Sequence, residues 1–575
     1  MLKRVFSYMR EYKKYAWSGL LCIGVEVVLE ITVPLLMADL IDYGVTNADG
    51  TYIIKKGLQM ALCAVLALIL GVGSAKFSAL AGQGLGANIR KAEYEKLQSY
   101  SFSNIDHFSV SSLVTRLTSD VTNIQNAVST GMRPFGRSPV MLIFATSFAF
   151  RINLTLALVF LVALPTLAVL LILIIINVGP LYGRMQSAID QVNRCIQENL
   201  TAIRVVKSYV RGDYEVEKFG VVNENLKSES EKAFGTAVLN MPAMQFVMYG
   251  TILGILLIGG RLINEGQMMI GQLTSFLSYV LLILNSLMMM SNVFLLMTRS
   301  LASAERIMEV IDEKIDITDE NAKDIAVAKG EIEFDHVSFA YPEAGENVLT
   351  DISFKAKKGQ TIAVIGSTGS GKSTLINLIP RYYDVTKGSV KVDGVDVRDM
   401  TQKELRDKLG YVPQKGVLFS GTIDSNIRYG KPEITDAQVK EAAEVAQATE
   451  FIDTKPEKYE SPVSQGGTNV SGGQKQRLSI ARAIAKNPEI FIFDDSFSAL
   501  DFKTDSQLRK ALKEYTKDAT TVIVAQRIST ILGADQIIVL DDGHMAGIGT
   551  HKELMANCEV YQQIARSQLS EEELA

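Results

Sequence analysis

Gly366-Ser367-Thr368-Gly369-Ser370-Gly371-Lys372-Ser373-Thr374 is the stretch that decides the fold, because it is a complete G-x-x-x-x-G-K-S-T phosphate loop. An apolar run, Thr361 to Ile365, precedes it and a second apolar segment follows, so the sequence predicts the strand, loop and helix that the motif requires. Backbone N–H groups and the helix N-terminus favour phosphate, Lys372 reaches the terminal phosphates, and Ser373 is placed for Mg²⁺. The whole loop is therefore predicted to bind a nucleotide. A tight turn without a ligand is the alternative, and it would match these fixed positions only by chance.

The two parts of the 575-residue chain differ in composition. Residues 1–310 are crowded with apolar runs, whereas 330–575 resemble a soluble α/β domain, and hydrophobic residues make up 47% of the whole. The first part is therefore predicted to be embedded in a membrane. A net charge of −5, without a basic stretch interleaved with aromatic residues, argues against nucleic acid as a partner. The cysteines are far apart and form no C-x-x-C pattern, so neither a zinc site nor a disulfide framework is predicted.

Six apolar stretches are each long enough to cross a bilayer core at about 1.5 Å per residue. They cover residues 16–40, 57–81, 134–150, 153–180, 240–262 and 271–298. The polar stretches Gly84 to Thr122 and Tyr182 to Phe234 have helical periodicity, so we expect the helices to continue into water. Basic residues concentrate in 182–235, which places the long connections and both termini in the cytoplasm.

Two carboxylates, Glu26 and Glu30, lie one helical turn apart on the same face of the first predicted span. Carboxylates in a membrane are costly, so these two are expected to face a cavity or a partner. One hypothesis is a polar substrate cavity that favours cationic amphipaths. The other is that the two glutamates pair with another helix or simply face water.

Four further motifs follow the phosphate loop in a fixed order. They are Gln414 in Tyr411-Val412-Pro413-Gln414, the run Val470-Ser471-Gly472-Gly473-Gln474-Lys475-Gln476-Arg477, the strand Ile490 to Asp494, and Ser498-Ala499-Leu500-Asp501. Together they resemble the Q-loop, signature motif, Walker B strand and D-loop of ABC transporter ATPases. The six spans with long cytoplasmic extensions ahead of them are similar to an exporter-type half-transporter, so the resemblance covers essentially the whole chain.

The resemblance implies a multi-domain membrane protein. An all-α transmembrane domain of six helices, 1–310, is followed by a linker, 311–330, and by an α/β P-loop nucleotide-binding domain, 331–575. Such transporters use ATP and Mg²⁺. Two stretches, Asp106 to Ser112 and Val210 to Lys218, match the places where coupling helices of the family contact the ATPase domains.

The family also assigns roles to individual residues. Tyr341 would stack on adenine, although it is alternatively a surface tyrosine of a strand. Asp494 and Gln414 would complete the Mg²⁺ site together with Ser373. The signature residues Ser471, Gly472, Gly473 and Gln474 would contact the ATP bound by the other subunit, and Asp501 would belong to the D-loop. A monomer would then have no complete ATP site.

Two positions depart from the family pattern. After Asp494 the family has a glutamate that polarises the attacking water, and this chain has Asp495, which is one methylene shorter. A histidine is expected before Arg527, and this chain has Gln526. Because positioned acid–base groups contribute on the order of 10² to 10⁴ in rate, the site on this chain should bind ATP and hydrolyse it slowly.

The combination of an intact signature motif with a shortened catalytic carboxylate is explained by a heterodimer. A homodimer that hydrolyses ATP slowly is the alternative. The pattern resembles the degenerate-site subunit of heterodimeric bacterial multidrug ABC exporters. This resemblance implies as partner a homologous half-transporter with an intact catalytic glutamate and switch histidine. The predicted function is ATP-driven export of hydrophobic or cationic small molecules across the plasma (bacterial inner) membrane, in contact with membrane lipid. A lipid or peptide exporter and an ATP-gated regulator or channel are the alternatives.

Overall fold

The computed structural model describes residues 2–320, 322–323, 330–342 and 344–569, without some side chains around 161–175, 240 and 288–298. The predicted linker, 311–330, therefore lies partly outside the described residues, at 321 and 324–329. Two units divide the chain. The first combines Met1–Lys96 with Leu113–Asp312, and the second combines Leu97–Ser112 with Glu313–Ala575.

Helices make up the described secondary structure up to residue 312. They are α1 (Leu2–Ser7), α2 (Lys13–Asp39), α3 (Gly50–Gln98), α4 (Phe102–His107), α5 (Val110–Thr115), α6 (Val121–Ser129), α7 (Met132–Ile152), α8 (Leu154–Thr201), α9 (Ile203–Ser208), α10 (Gly212–Val238), α11 (Asn240–Asn264) and α12 (Ile270–Asp312). A 3₁₀ turn, Arg10–Tyr12, precedes α2, and π-helical segments occur at Leu40–Val45 and Arg116–Asp120.

Four helical segments of the described chain are long and apolar enough to cross a membrane. They are Arg10–Val45, Gly50–Gln98, Gly212–Asn264 and Ile270–Leu287, and a shorter apolar helix covers Leu154–Leu167. The predicted span 134–150 falls on α7, which also carries arginines, and the predicted span 153–180 falls on α8, part of whose side chains are not described. Six spans thus stay a prediction.

Long helices do extend beyond the predicted spans. Helix α3 has 49 residues, more than twice the roughly 20 that cross a bilayer. The extensions are interrupted, however, where the helical periodicity of the sequence predicted continuous helices. Ser101 caps α4 through a capping box with Asn104, and Val210 has a φ of +54° in the turn between α9 and α10. Such local caps and turns reverse the chain, and a helical hydrophobic pattern does not reveal them.

Two apolar clusters hold the first unit together. One joins α2, α7, α8, α11 and α12 and contains the large buried rings of Phe276 and Tyr279. The Tyr279 hydroxyl donates a hydrogen bond to the backbone oxygen of Ile31, at 2.7 Å, so its polar end is satisfied. The other cluster buries Val5 and Met9 of the N-terminal segment against α3, α6 and α12.

The second unit is an α/β domain. Its strands are β1 (Ile332–Phe339), β2 (Leu349–Ala356), β3 (Thr361–Gly366), β4 (Lys387–Val392), β5 (Val395–Asp396), β6 (Leu409–Val412), β7 (Gly421–Thr422), β8 (Pro462–Val463), β9 (Ile490–Asp494), β10 (Thr520–Val524), β11 (Gln536–Asp541) and β12 (His544–Gly549). Its further helices are α13 (Lys372–Asn377), α14 (Gln402–Asp407), α15 (Ile423–Ile427), α16 (Asp436–Val445), α17 (Thr449–Asp453), α18 (Gly472–Ala485), α19 (Phe502–Tyr515), α20 (Ile528–Ile531), α21 (His551–Asn557) and α22 (Glu559–Gln568).

A mostly parallel sheet forms the centre of this unit, in the order β12-β11-β3-β10-β9-β6. Strands β11, β3, β10, β9 and β6 pair in parallel, and only the edge strand β12 is antiparallel. The apolar runs that predicted strands at 361–365 and 490–493 are buried on both faces, as parallel strands require. A separate antiparallel sheet has the order β2-β1-β4-β5. The parallel strands carry their carboxyl ends to one edge, where ligands of such sheets bind.

Candidate functional site

The phosphate loop connects β3 to α13. Gly369 has a φ of +87° and a Cβ there would meet open space, whereas Gly371 has a φ of +93° and precedes the first turn of α13. A Cβ at Gly366 would collide with the backbone oxygen of Leu540 on β11. The glycines thus permit left-handed backbone and close packing that other residues would obstruct. The loop has the backbone conformation that wraps a phosphate chain.

Lys372, at the start of α13, folds back over this loop. Its Nζ donates hydrogen bonds to the backbone oxygens of Gly366, at 3.0 Å, and Ser367, at 2.7 Å. Burial lowers the pKa of the Lys372 ammonium, and the nearby Asp495 and Asp494 oppose that shift. A phosphate is a better partner for this ammonium than neutral carbonyl oxygens are. The buried Ser370 hydroxyl has no hydrogen-bond partner within the described residues and is a further polar group available to a ligand.

Asp494 ends β9 and Asp495 follows it, and the two are 7% and 8% exposed. Ser373 donates its hydroxyl to Oδ1 of Asp494, at 3.0 Å, which brings together the two side chains predicted to hold Mg²⁺. Burial raises the pKa of the Asp494 carboxyl, and the charge of Asp495 raises it further. Hydroxyl and carboxylate oxygens are the ligands that Mg²⁺ prefers, so these residues fit the ion.

The Asp495 carboxylate lies between two amide side chains. Its Oδ2 accepts a hydrogen bond from Gln526 Nε2 at 2.8 Å and another from Gln414 Nε2 at 3.2 Å. Gln414 follows β6 and Gln526 follows β10, so three neighbouring strands bring these side chains to one place. Asp495 itself has a φ of +44°, an uncommon conformation for a non-glycine residue. The predicted base and the residue at the histidine position are therefore in direct contact.

Tyr341 follows β1 and lies near the end of the phosphate loop. Its hydroxyl is 3.0 Å from Thr374 Oγ1, within hydrogen-bond distance, and its ring packs edge-on against Tyr383, with centroids 5.2 Å apart. The ring is half-buried. This position beside the loop suits the adenine-stacking role, which stays a prediction.

The signature residues begin α18. Ser471 is the N-cap, and it forms a capping box with Gln474, in which each side chain accepts from the other's backbone N–H. Ser471 and Gly472 are exposed, and Gly473 is partly exposed. The helix N-terminus therefore presents positive potential to solvent, where a phosphate can approach it. Asp501 similarly caps α19 and accepts from Thr504 N at 2.9 Å, and these hydrogen bonds lower the pKa of its carboxyl.

Helix α4 contains Asp106, the first residue of one predicted coupling stretch, and packs within the second unit on residues next to the phosphate loop. Tyr383 donates its hydroxyl to Oδ2 of Asp106 at 2.6 Å, and Phe102 of α4 stacks on Tyr382, with ring centroids 4.1 Å apart. Asn104 donates to the backbone oxygen of Lys314 at 2.7 Å. Tyr383 also contacts Tyr341, whose hydroxyl is 3.0 Å from Thr374 Oγ1. Helix α4 therefore lies beside the end of the phosphate loop at which α13 begins. The other predicted stretch, Val210 to Lys218, covers the exposed turn before α10 and the first part of that helix.

Glu26 and Glu30 form ion pairs with α7. Glu26 Oε1 lies 2.6 Å from Arg133 Nη2 and 3.2 Å from Arg137 Nη1, and Glu30 lies 2.6 Å from Arg137 Nη2. This geometry favours the hypothesis of helix pairing, because the cluster carries no net charge to attract cationic amphipaths. The substrate role of the two glutamates stays a prediction. The arginines were missed by sequence reasoning, although their spacing of four matches that of the glutamates.

Glu93 was also missed, and no signal in the sequence sets it apart. It lies on α3, twelve residues beyond the predicted end of the span at 81, and it is fully buried. Neither of its carboxylate oxygens has a hydrogen-bond partner within the described chain. Burial raises its pKa to about 8, the charge of Asp120 adds to the effect, and Arg116 and Arg90 oppose it. The other carboxylate of this cluster, Asp120, is instead paired with Arg306.

Comparisons with known proteins agree with this architecture. The family described as "ABC transporter transmembrane region" matches residues 17–287, and the family described as "ABC transporter" matches residues 349–498. A relative in Bacillus subtilis, the "Uncharacterized ABC transporter ATP-binding protein YfiB", is 37% identical over 99% of both chains. The "Putative multidrug export ATP-binding/permease protein YgaD" of Bacillus subtilis is 33% identical, over 96% of this chain and 97% of its own.

A solved structure, that of a bacterial Atm1-family ABC exporter with ATP bound, has the same fold. Its TM-score is 0.81 at 25% identity, and the match covers 98% of this chain and 99% of that one. The predicted fold class, a helical transmembrane domain followed by an α/β nucleotide-binding domain, is confirmed. An ATPase domain of this kind binds ATP, normally with Mg²⁺. The chain belongs to the ABC transporters, as an exporter half-transporter whose membrane domain precedes its ATPase domain.

Proposed function

We propose that this chain is one half of a heterodimeric ABC exporter that moves amphipathic drugs or lipophilic compounds out of the cell. Its transmembrane domain covers 1–310, its linker 311–330 and its nucleotide-binding domain 331–575. The protein crosses the plasma membrane, the inner membrane of a bacterium, several times, with the ATPase domain and both termini in the cytoplasm. The name of the Bacillus relative, which refers to multidrug export, supports this substrate class.

The observation that carries the proposal is the environment of Asp495. A general base must reach the attacking water, and this carboxylate is one methylene shorter than the usual glutamate. Both amide contacts, from Gln526 at 2.8 Å and Gln414 at 3.2 Å, also hold it back against the ends of neighbouring strands. An amide at position 526 can donate a hydrogen bond, but it cannot carry the charge or exchange the proton of a histidine. Hydrolysis at this site is therefore slow.

The remaining groups of the site support binding rather than turnover. Bound ATP and Mg²⁺ supply the triphosphate and the charge that organises its oxygens. Lys372 and the loop N–H groups hold the phosphates, Tyr341 holds the adenine by its ring face, and Ser373 and Asp494 offer oxygens to the metal. Gln414 offers its amide oxygen on the same side. ATP on this chain thus acts as a long-lived ligand that keeps the ATPase domains together.

The signature supports a partner of a particular kind. Ser471 to Gln474 form an exposed and correctly capped helix start, which a chain without an active partner site would not need. The partner is then a homologous half-transporter with an intact Walker B glutamate and switch histidine. The signature of this chain completes the partner's ATP site, and Asp501 in the D-loop lies beside that contact. Hydrolysis there resets the transporter, since ATP binds the closed state more tightly than the open one.

ATPase activity tests the proposal directly. The chain is purified alone and together with the product of a neighbouring ABC transporter gene, and Asp495→Asn is compared with replacement of the partner's Walker B glutamate. Activity that requires the partner, and that is lost only with the partner's glutamate, is the expected result. Brisk hydrolysis by this chain alone, abolished by Asp495→Asn, would instead establish a homodimer with two competent sites.

Transport assays decide between export and the alternatives. ATP-dependent accumulation of a cationic dye in inverted vesicles is expected of the proposed exporter. Accumulation of a labelled phospholipid or a peptide, without dye, would assign the chain to a lipid or peptide exporter. Ion conductance without accumulation of any solute would assign it to ATP-gated channels or regulators.

A further inference from the structure

An apolar cavity of about 470 Å³ lies in the first unit between the N-terminal segment, helices α6 and α7, and helix α12. This volume falls within the range of about 300–1,000 Å³ that is usual for ligand sites. Met9 and Trp17 line it from the N-terminal side, Ile124 and Phe135 from α6 and α7, and Met297 from α12. The cavity accordingly joins three parts of the chain that are distant in sequence.

The lining is almost entirely hydrocarbon. Among the described lining residues only Ser300 and the indole N–H of Trp17, which is 73% exposed, are polar. The Ser300 hydroxyl is already within hydrogen-bond distance of the backbone oxygens of Leu296, at 2.9 Å, and Asn123, at 3.3 Å. A ligand that fills this cavity must therefore place an apolar part in it and leave its polar part outside.

The cavity lies at the predicted cytoplasmic boundary of the membrane, a placement that rests on the orientation proposed above. Its lining residues fall at 5–20, 124–135 and 296–304. The first predicted span begins at 16, the third begins at 134, and the sixth ends at 298. All three elements thus reach the cavity at the level where acyl chains meet lipid headgroups.

The N-terminal segment that lines this cavity is basic. Lys3, Arg10, Lys13 and Lys14 are exposed on it beside one exposed carboxylate, Glu11, whereas Arg4 is engaged by Asp312, with Nη1 and Oδ2 2.7 Å apart. Exposed basic residues next to an amphipathic segment attract anionic lipid headgroups. They also repel cationic drugs, so charge favours an anionic lipid over a transported cationic drug as the occupant.

We propose that this cavity is a binding site for an anionic phospholipid of the cytoplasmic leaflet. An acyl chain fills the space between Met9, Ile124 and Met297, and the headgroup phosphate lies against the basic side chains of residues 3–14. Because the lining includes α12 as well as the N-terminal segment, the bound lipid ties these two elements of the first unit together.

Trp17 provides a direct reporter, since it is the single tryptophan of the chain, lines the cavity and is 73% exposed. The purified transporter, in its native assembly, is placed in phosphatidylcholine nanodiscs that contain either brominated phosphatidylglycerol or brominated phosphatidylcholine. The fluorescence difference between wild type and Trp17→Phe isolates this residue from any tryptophan of a partner. Quenching by brominated phosphatidylglycerol is expected to saturate at a several-fold lower mole fraction.

Three variants locate the preference. Ala127→Phe fills the cavity and should remove the difference between the two lipids. Lys13→Gln with Lys14→Gln changes only exposed side chains, so it should fold normally and weaken the preference several-fold. The matched control is Arg204→Gln with Lys207→Gln, which removes two exposed basic charges on α9 and should leave the preference unchanged.

A second reporter controls for general lipid contact. Trp17→Phe combined with Leu62→Trp places the tryptophan on an exposed position of α3, 59% exposed in the wild type, where the two lipids should quench equally. Equal quenching at Trp17 itself would overturn the proposal, as would a preference that survives in both the cavity-filling and the lysine variants. Saturable quenching of Trp17 by a transported cationic dye, with no difference between the lipids, would assign the cavity to substrate. The measurement needs no ATP hydrolysis, so its failure is distinct from failure of the heterodimer proposal.

Discussion

Restoring the usual residues at positions 495 and 526 should convert this chain's slow ATP site into a competent one. Asp495→Glu advances the carboxylate by one C–C bond, about 1.5 Å. A displacement of about 1 Å at a reacting centre costs roughly 10²-fold in rate, so the longer side chain can recover about that factor once position 526 no longer holds it back. Gln526→His then adds a group that exchanges protons, a contribution of another 10² or so. Together they should raise hydrolysis at this site by on the order of 10⁴-fold, about 5.4 kcal/mol of barrier.

The geometry explains why both changes are needed. In the present chain Gln526 and Gln414 donate to the same oxygen of Asp495, at 2.8 and 3.2 Å. A glutamate that still met an amide at position 526 would be drawn back towards it. A histidine at that position can take up and release a proton, which the amide cannot do, so it supports the longer carboxylate in proton transfer.

Single-turnover hydrolysis in a complex whose partner lacks its Walker B glutamate isolates this chain's site. Near-zero turnover is expected with wild-type Asp495, and rapid turnover with both replacements. Asp541→Glu is the matched control, because Asp541 ends the parallel strand β11 and is exposed, and it should change nothing. If the wild-type chain already hydrolyses ATP rapidly in this complex, and Asp495→Asn abolishes it, the argument from carboxylate length is refuted.

Three further predictions concern buried polar contacts. The folded-state pKa of Glu93, about 8, exceeds the unfolded value of 4.5, so the stability of the wild type falls by up to about 1.4 kcal/mol per pH unit as the pH rises between these values. Glu93→Gln should therefore reduce the pH dependence of the melting temperature between about pH 6 and about pH 8. In a double-mutant cycle on thermal stability, Glu26→Gln and Arg137→Gln should couple by about 1–3 kcal/mol, because the two side chains belong to one ion-pair cluster in which Arg133 also pairs with Glu26 and Glu30 with Arg137. Tyr383→Phe removes the hydrogen bond to Asp106, so it should reduce drug-stimulated ATPase activity several-fold and leave basal activity intact.

Each of these has a matched control in the same chain. Glu95 lies on the same helix as Glu93 but is exposed, so Glu95→Gln should leave the dependence of the melting temperature on pH as in the wild type. If both variants show the same dependence on pH, protonation of the buried Glu93 does not explain the effect. The exposed pair Lys227–Glu224 should couple by no more than about 0.5 kcal/mol, and an equal value at Arg137 would mean that burial adds nothing. Tyr382→Phe keeps the ring that stacks on Phe102, so equal losses from both tyrosine variants would argue against a role for the Asp106 contact.

The sequence predicted the second unit well because its signals are local. A phosphate loop, apolar runs of four to six residues and an ordered set of motifs each specify a strand end and the turn after it. Parallel pairing then brings Gln414, Asp494 and Gln526 together without further information, since all follow carboxyl ends of one sheet. The contact between Gln526 and Asp495 is the direct result of that topology.

The membrane part was less predictable, for a physical reason. Helical periodicity shows that Tyr182 to Phe234 is helical but not where the helix is interrupted, at Ala202 and again at Tyr209 to Arg211. Which helix pairs with Glu26 is a tertiary fact. The i, i+4 spacing of Arg133 and Arg137 was a usable signal, but it lies at the edge of an apolar stretch that was placed by hydrophobicity alone.

The retention of an aspartate at position 495 itself argues for a binding role. Two adjacent carboxylates are buried at the end of β9, and the only described cation bonded into the loop, Lys372, is directed at backbone oxygens. Burial and the charge of Asp495 both raise the pKa of Asp494, so a divalent cation held by Ser373 and Asp494 removes an unfavourable energy as well as forming new bonds. The charge of Asp495 therefore still favours binding of Mg²⁺ with the nucleotide, whereas its side chain is too short to reach the attacking water for hydrolysis. That combination is what a site that retains ATP through several cycles of its partner requires.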